Sequence, residues 1–255
     1  MPLTPKRVIT TKPYAVYFDG IDDYVDCGRN ASLNMNYELT ALAWIKPINA
    51  PHKGGVFFSN WQQSAIIDRG WGRPVSLRIA DSAGAINAEF WTAGTPENHT
   101  SSLKVTEEWQ TVGYTLNLHT KKLVFFRNNN FDEQTTTKGD EALLDNGYTL
   151  KIGAFPDISW VYLGLVSQVC IYNRALSEEE MSYIYSYGEV IRNGLVLWLI
   201  AHPDYIKDID NDGILEWIDL SGYNNHGKIY GATLIKLVRD PVAISPPKRI
   251  LSVVR

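Results

Sequence analysis

One acidic stretch of the chain has the residue types and the spacing of a cation-binding loop. It runs from Asp208 to Asp219 with the sequence DIDNDGILEWID. A twelve-residue calcium loop takes oxygen ligands from its first, third, fifth, seventh, ninth and twelfth positions, and a glycine at the sixth allows a sharp turn. The residues at the ligand positions are Asp208, Asp210, Asp212, Ile214 through its backbone carbonyl, Glu216 and Asp219. Gly213 falls at the turn, so the stretch predicts a bound Ca2+.

The charge of this stretch supports the same prediction. Five carboxylates within twelve residues repel one another unless a cation lies among them. Aspartate replaces the usual bidentate glutamate at the twelfth position, and its shorter side chain weakens the expected affinity or the discrimination against Mg2+. The apolar run that ends at Ile200 is typical of a strand, so flanking helices are not expected. The alternative is a solvated acidic loop without a metal.

No group of residues in the sequence has the spacing of a catalytic site. The five histidines are scattered without the spacing of zinc ligands, and no nucleophile elbow is present. Glu178, Glu179 and Glu180 are consecutive. Ser177 before them is a good N-cap, however, and carboxylates stabilise the first turn of a helix. We therefore predict one short helix near residues 177–187 and no enzyme activity.

The elements that must position any site are mostly strands. Short apolar and aromatic segments such as Tyr14–Phe18 and Leu39–Ile45 recur about every ten residues, with Gly, Asn, Asp and Pro between them. Aromatic residues make up 12% of the 255-residue chain, which favours strands, and the 45% hydrophobic content suffices for a large core. The pattern predicts an all-β fold, a two-sheet antiparallel sandwich.

Both ends of the chain are expected to be extended arms, because residues 1–13 and 239–255 are basic and contain proline. The formal net charge of −4 argues against nucleic acid as a partner, and no apolar run is long enough to span a bilayer. No classical signal peptide is visible, so the protein stays inside the cell, leaves it by lysis or another route, or has had its leader removed. The expected location is extracellular or on a virion surface. Cys27 and Cys170 are too few for a disulfide framework, and we expect two buried free thiols rather than a pair.

Four segments resemble the laminin-G-like branch of the concanavalin A-like lectin/glucanase superfamily. They are Tyr14–Gly28 (YAVYFDGIDDYVDCG), Leu39–Pro47 (LTALAWIKP), Glu108–Leu116 (EWQTVGYTL) and Lys151–Tyr187, which contains GLVSQVCIYNRALSEEEM. The resemblance covers residues 14–188 and implies a jelly roll of two antiparallel sheets. It also implies a second cation site at Asp19 of the FDG turn. Ser167 and Gln168 stand where the family's closing strand usually carries an acidic pair.

The catalytic signature of the superfamily's glycosidases is missing from this sequence. Those enzymes carry a Glu-x-Asp-x-x-Glu cluster, whose first Glu and Asp share one face of a strand. No predicted strand here has such a cluster, and the adjacent Glu107 and Glu108 would point to opposite faces. The resemblance therefore implies a binding or structural module.

The order of the resembling segments is unusual. Gly194–Leu234 is similar to the segment that normally precedes the FDG strand, but here it comes last. Residues 14–188 would form the jelly roll, and residues 189–238, with the calcium loop, would complete or extend it. We expect this segment to close its own domain as a natural circular permutant, since the termini of a sandwich lie close together. The alternatives are donation to the open sheet edge of a neighbouring molecule and a truncated second repeat.

Three functions compete at this point. The first is a calcium-stabilised surface structural or adhesion protein, a subunit or decoration protein of a virion or extracellular assembly, in contact with copies of itself or other structural subunits through its arms. The alternative is a carbohydrate-binding, lectin-like module, whose site would use exposed aromatic rings that stack on sugars. Its candidate ligand-binding residues, in or near predicted loops, are Trp61, Trp71, Trp91 and Trp160. A glycosidase is the least supported hypothesis.

Overall fold

The structure, a computed structural model, describes residues 13–48, 63–69, 75–80, 84–92, 95–144, 147–158 and 160–237. These residues form two antiparallel β-sheets, one α-helix and two short 3-10 helices. The predicted fold class, an all-β jelly-roll sandwich with one short helix, is confirmed.

The first sheet contains eight strands, including the first and the last of the described chain. They are β1 (Tyr14–Asp19), β3 (Glu38–Pro47), β8 (Gln110–Asn117), β9 (Lys122–Arg127), β10 (Asn130–Thr135), β12 (Leu163–Tyr172), β13 (Leu195–Ile200) and β17 (Thr233–Lys236). Their order is β10-β9-β8-β3-β12-β1-β17, and β13 also pairs with β12.

The second sheet contains nine strands. They are β2 (Tyr24–Asp26), β4 (Gln63–Asp68), β5 (Ser76–Ala80), β6 (Ala85–Thr92), β7 (Thr95–Lys104), β11 (Lys151–Ile152), β14 (Ile206–Lys207), β15 (Glu216–Trp217) and β16 (Gly227–Tyr230). Their order is β14-β15-β16-β2-β11-β4-β5-β6-β7. Because successive side chains of a strand alternate between the two faces, each sheet contributes one face to a shared core. On β5 and β6 this core face includes Leu77, Ile79, Ile86 and Phe90.

The helix α1 (Glu178–Tyr187) covers the outer face of the first sheet. Glu180 N donates a hydrogen bond to Ser177 Oγ, and Ser177 N donates one to the Glu180 carboxylate, so the two residues form a capping box. Gly188 ends the helix with a left-handed φ of 67°. Met181 and Ile184 are buried against side chains of β3, β9 and β12. The three consecutive glutamates are therefore first-turn residues of a surface helix.

The C-terminal segment contributes strands to both sheets of the same chain. β13 pairs with the second half of β12, β17 pairs with β1, and β16 pairs with β2. Leu237 N donates a hydrogen bond of 2.8 Å to Pro13 O, so the two ends of the described chain are adjacent. Trp217 of this segment has no exposed surface and packs in the main core. The segment is therefore part of the domain's hydrophobic interior.

Cys27 and Cys170 are buried free thiols, and burial raises the pKa of Cys27 well above its ordinary value. Apart from Pro13, the two predicted arms lie outside the described residues, and their role in assembly stays a prediction. In the part of the chain that the structure describes, no helix is long and apolar enough to cross a membrane.

A buried carboxylate links the two sheets. Glu97 on β7 accepts hydrogen bonds from Thr137 N (2.6 Å) and Lys138 N (3.0 Å), which follow β10 in the other sheet. Its Oε1 also lies 2.7 Å from the Nε2 of His99. Burial raises the pKa of Glu97, but these hydrogen bonds together outweigh burial and leave the pKa below its ordinary value.

We expect Glu97→Gln to lower the free energy of unfolding by about 1–3 kcal/mol at neutral pH, because it weakens charge-assisted hydrogen bonds. Since the pKa of Glu97 is lowered by folding, this contribution is present above the unfolded-state pKa and is lost as the pH falls through the folded-state pKa. Urea unfolding at neutral pH and at about pH 3 measures both effects. The exposed Glu107→Gln is the control. A loss of stability that does not shrink in acid would contradict this account.

Candidate functional site

The outer face of the second sheet carries a band of polar and charged side chains. On β5 and β6 the residues between the core positions point outward, namely Ser76, Arg78, Asn87, Glu89 and Trp91. Asp68 at the end of β4 lies opposite Ser76 and belongs to the same band. Although they face outward, Asp68 and Arg78 have no exposed surface, and Glu89 is 5% exposed. Neighbouring groups therefore cover the centre of the band.

Arg78 is the centre of this band. Its Nε donates to Asp68 Oδ2 at 2.8 Å, and its Nη1 donates to Glu89 Oε2 at 3.0 Å. Ser76 Oγ donates to the same Asp68 oxygen at 3.0 Å. Two buried carboxylates thus share one guanidinium. Without this guanidinium, each carboxylate would carry a large desolvation penalty.

Two of the four predicted tryptophans meet at this network. The ring of Trp160 lies 4.6 Å from the guanidinium carbon of Arg78, a cation–π contact. Trp91 Nε1 donates to Glu89 Oε1 at 3.0 Å. Phe155 packs against Trp160 with ring centroids 4.6 Å apart. Both tryptophans are partly exposed, so they present aromatic surface directly beside a buried ion-pair network.

Amide groups extend the band toward the edge strand β7. The exposed Asn98 donates from Nδ2 to Glu89 Oε2 at 3.2 Å. Asn87 Nδ2 in turn donates to Asn98 Oδ1 at 2.8 Å and to His99 O at 2.8 Å. Asn87 Oδ1 is buried and has no hydrogen-bond partner within the described structure. The band thus combines aromatic, carboxylate and amide groups, the types that line binding sites for polar small molecules.

The acidic loop connects β14 to β15 at the opposite edge of the same sheet. Carboxylate oxygens of Asp208, Asp210 and Glu216 lie within 4.8 Å of one another. Gly213 N donates to Asp208 Oδ2 at 3.0 Å, and Gly213 has the left-handed φ of 85° that the predicted sharp turn requires. Ile209 N donates to Glu216 Oε2 at 2.9 Å. The structure therefore brings together three of the predicted metal ligands.

The donor set of this cluster fits a hard divalent cation. Asp208 Oδ1 is buried and has no hydrogen-bond partner in the described part of the chain. Calcium prefers oxygen donors of this kind, and Asp208, Asp210 and Glu216 are the residues that would hold it. Ile214 N donates to Asp212 Oδ1 at 2.8 Å, whereas the role of the Ile214 carbonyl as a ligand stays a prediction.

The structure places Asp219 apart from this cluster, which differs from its predicted position as the twelfth ligand. Its Oδ1 accepts hydrogen bonds from Trp198 N and Ser221 N, both at 2.9 Å. Its Oδ2 accepts bonds from Ser221 Oγ at 2.7 Å and Asn225 N at 3.0 Å. Asp219 lies beyond the end of β15, in the turn whose N–H and O–H groups donate to its carboxylate. Asp219 therefore ties β13 to the turn that follows β15.

A lysine supplies a positive charge to the acidic loop. Lys228 Nζ lies 2.9 Å from Asp210 Oδ2, donates a hydrogen bond to Asp212 Oδ2, and lies 3.8 Å from Glu216 Oε1. The hydrogen bonds to Asp212 and Asp210 raise the pKa of Lys228, and the bond from Lys228 lowers the pKa of Asp212. Asp212, the predicted fifth-position ligand, is thus paired with a lysine of β16.

Asp19 belongs to a second acidic group at the turn between β1 and β2. Its carboxylate and those of Asp22 and Asp23 have oxygens within 4.8 Å of one another. Asp19 Oδ1 accepts a hydrogen bond from Ile21 N, and Asp19 N donates to Asp23 Oδ2, both at 2.8 Å. Burial raises the pKa of Asp23 against the lowering effect of that N–H. These bonds are those of a turn residue, and a cation at Asp19 stays a prediction.

Sequence reasoning missed the ion-pair network and the lysine. Asp68 and Glu89 lie 10 and 11 positions from Arg78, on three different strands. The available signal was a lone charged residue within an apolar strand, because buried charges are normally paired. Trp61 and Trp71 lie outside the described residues, so their proposed role stays a prediction.

Comparisons with known structures agree with this architecture. A protein of Bacteroides ovatus, described as a candidate carbohydrate-binding protein, superposes with a TM-score of 0.65 at 18% identity, over 88% of this chain and 60% of that one. A SAP-like pentraxin of Limulus polyphemus gives 0.51 at 15% identity, over 68% and 82% of the two chains. The NanB sialidase of Streptococcus pneumoniae gives 0.52 at 14% identity, over 66% and 27%.

These identities establish the fold alone. The chain spans 60% of the Bacteroides ovatus protein and 27% of the sialidase. A comparison with curated proteins gave no significant match. A family model of the laminin G type, described as concanavalin A-like lectin/glucanases superfamily, matches residues 19–182, which is more than half of the chain. On this match and the two-sheet jelly roll, the chain belongs to the concanavalin A-like lectin/glucanases superfamily.

Proposed function

We propose that this protein is a carbohydrate-binding module and that the outer face of its second sheet binds the sugar around Trp91 and Trp160. The observation that carries the proposal is the convergence of these two partly exposed rings on the buried Asp68–Arg78–Glu89 network. Aromatic faces pack on the apolar faces of sugar rings, while neighbouring amides and carboxylates bond to hydroxyls. Because the network holds the rings in place, binding orders few additional groups.

We also propose that the module is not an enzyme. Glycoside hydrolysis needs two carboxyl groups, one to donate a proton and one to act as base or nucleophile. Here Asp68 and Glu89 both accept hydrogen bonds from Arg78, which supports a positioning role for all three. The fold shared with a candidate carbohydrate-binding protein of Bacteroides ovatus further supports binding.

A glycan array followed by calorimetry tests the binding proposal. We expect Trp160→Ala to weaken binding of the best glycan by about tenfold or more, because a buried or half-buried aromatic anchor commonly contributes over 1 kcal/mol. Trp91→Phe keeps an aromatic ring at this position and removes the hydrogen bond to Glu89, so we expect a smaller loss of glycan affinity. The control is Tyr187→Ala, which removes an exposed ring from α1 on the other sheet. Wild-type protein that binds no glycan, or equal losses in all three variants, would contradict the proposal.

The acidic loop is proposed as a structural Ca2+ site held by Asp208, Asp210 and Glu216. The convergence of these oxygens and the unpartnered Asp208 Oδ1 support it. A role in a virion or extracellular assembly stays a prediction, and light scattering by the purified 255-residue chain tests self-association.

A further inference from the structure

Lys228 is positioned by the sheet to reach into the acidic loop. It lies directly opposite Glu216 where β16 pairs with β15. From there its ammonium contacts two of the loop's carboxylates, Asp210 and Asp212, and approaches Glu216 at 3.8 Å. The backbone of β16 is held on both sides, by β15 and by β2. Strand pairing therefore fixes the backbone of Lys228 beside the acidic loop.

We propose that Lys228 is the affinity-determining residue of this loop, a tethered cation that Ca2+ must displace in order to bind. This inference rests on the proposed cation site. The ammonium already uses oxygens of Asp210 and Asp212, two of the predicted ligands. It also brings the summed formal charge of Asp208, Asp210, Asp212 and Glu216 from −4 to −3. A divalent ion that enters meets fewer free oxygens and a nearby positive charge.

Displacement of the ammonium does not require the loop to unfold. The side chain of Lys228 is 35% exposed, and four flexible methylenes allow the ammonium to move into solvent. The loop's internal hydrogen bonds, from Gly213 N to Asp208 and from Ile214 N to Asp212, do not involve the lysine. Lysine and metal would thus exchange on a preformed loop.

Removal of the lysine should have two effects of opposite sign. In Lys228→Met the Ca2+ affinity should rise, because the competing charge is gone. In metal-free buffer the stability should fall, because the carboxylates of the loop lose their counter-charge. If Lys228 only packed against the loop, its replacement would lower both the Ca2+ affinity and the metal-free stability. Lys207→Met is the matched control, since Lys207 is exposed and lies opposite Glu216 on the other neighbouring strand.

The experiment titrates the 255-residue wild type, Lys228→Met and Lys207→Met with CaCl2 after chelator treatment, at constant ionic strength, by calorimetry and thermal unfolding. We expect Lys228→Met to bind Ca2+ about tenfold or more tightly than the wild type. Its metal-free Tm should be lower and should recover on addition of Ca2+. Lys207→Met should behave as the wild type. Binding by Lys228→Met alone would also support the proposal.

Three results would overturn the inference. If the wild type binds Ca2+ and Lys228→Met binds it equally or more weakly, the lysine does not compete, although the cation site stands. If neither the wild type nor any variant binds Ca2+ up to about 10 mM, the loop is not a cation site, and the proposed competition between Lys228 and Ca2+ is refuted as well. If the gain in Lys228→Met survives the added change Asp210→Asn, the ion binds elsewhere.

Discussion

Replacement of Arg78 with methionine is expected to lower the free energy of unfolding by about 3–5 kcal/mol, because removal of one partner from a buried ion pair is strongly destabilising. Asp68 has no exposed surface and Glu89 only 5%, so neither carboxylate can regain its hydration in the folded state. Methionine retains a long unbranched chain beneath Trp160, which limits the loss of packing. Urea unfolding followed by circular dichroism measures the change.

Two further variants separate the buried charge from other effects. Lys122→Gln breaks an exposed pair, in which Lys122 and Glu133 are 45% and 56% exposed, and should cost less than about 1 kcal/mol. Addition of Asp68→Asn and Glu89→Gln to Arg78→Met should restore part of the lost stability, since neutral amides remove the buried charge. A loss in Arg78→Met no larger than that in Lys122→Gln would show that the network does not stabilise the sheet.

A circular permutant that begins at Gly194 and joins Leu237 to Pro13 through a Gly-Ser linker of about four residues is expected to fold into the same two sheets. Leu237 N already bonds to Pro13 O, and β17 and β1 are antiparallel neighbours. A flexible linker spans these adjacent ends and does not need a turn hydrogen bond, which Pro13 cannot donate. The new termini are Gly194 and Asn193. Asn193 is exposed, and exposed sites of this kind tolerate a break in the chain. Its circular dichroism spectrum should match the wild type, with stability within about 2 kcal/mol.

Deletion of residues 189–255 is expected to abolish the cooperative fold. It removes β13 and β17 from the first sheet and takes Trp217 and Leu197 out of the core. Each large buried side chain contributes about 2–5 kcal/mol, and a whole domain is stable by only about 5–15 kcal/mol. Deletion of residues 238–255 alone is the control and should leave the fold intact. A cooperatively unfolding 1–188 fragment would show that the C-terminal segment is an accessory.

The parts of this structure that could be predicted from sequence depend on interactions between residues close in the chain. The alternation of apolar and polar residues along β5 and β6 decides which side chains face the core. The cap at Ser177 and the glycine at Gly188 place the helix ends within a few residues. The glycine of the acidic loop is needed for a left-handed turn, which its φ of 85° confirms. Each of these signals acts over a single turn or strand.

The chemistry of both sites was decided by strand register, which joins residues that are distant in sequence. Arg78 meets Asp68 and Glu89 only because β4, β5 and β6 pair in one particular alignment. Lys228 reaches Asp210 and Asp212 from 18 and 16 positions away because β16 pairs with β15.

The loop motif by itself determined which carboxylates lie near Gly213. It could not determine that Asp219 bonds instead to Ser221 and Asn225, or that a lysine shares the loop. Local spacing specifies the conformation of a segment, whereas the charges and donors that surround it come from neighbouring strands. Those neighbours depend on the packing of the whole sandwich, and only the tertiary structure decided them.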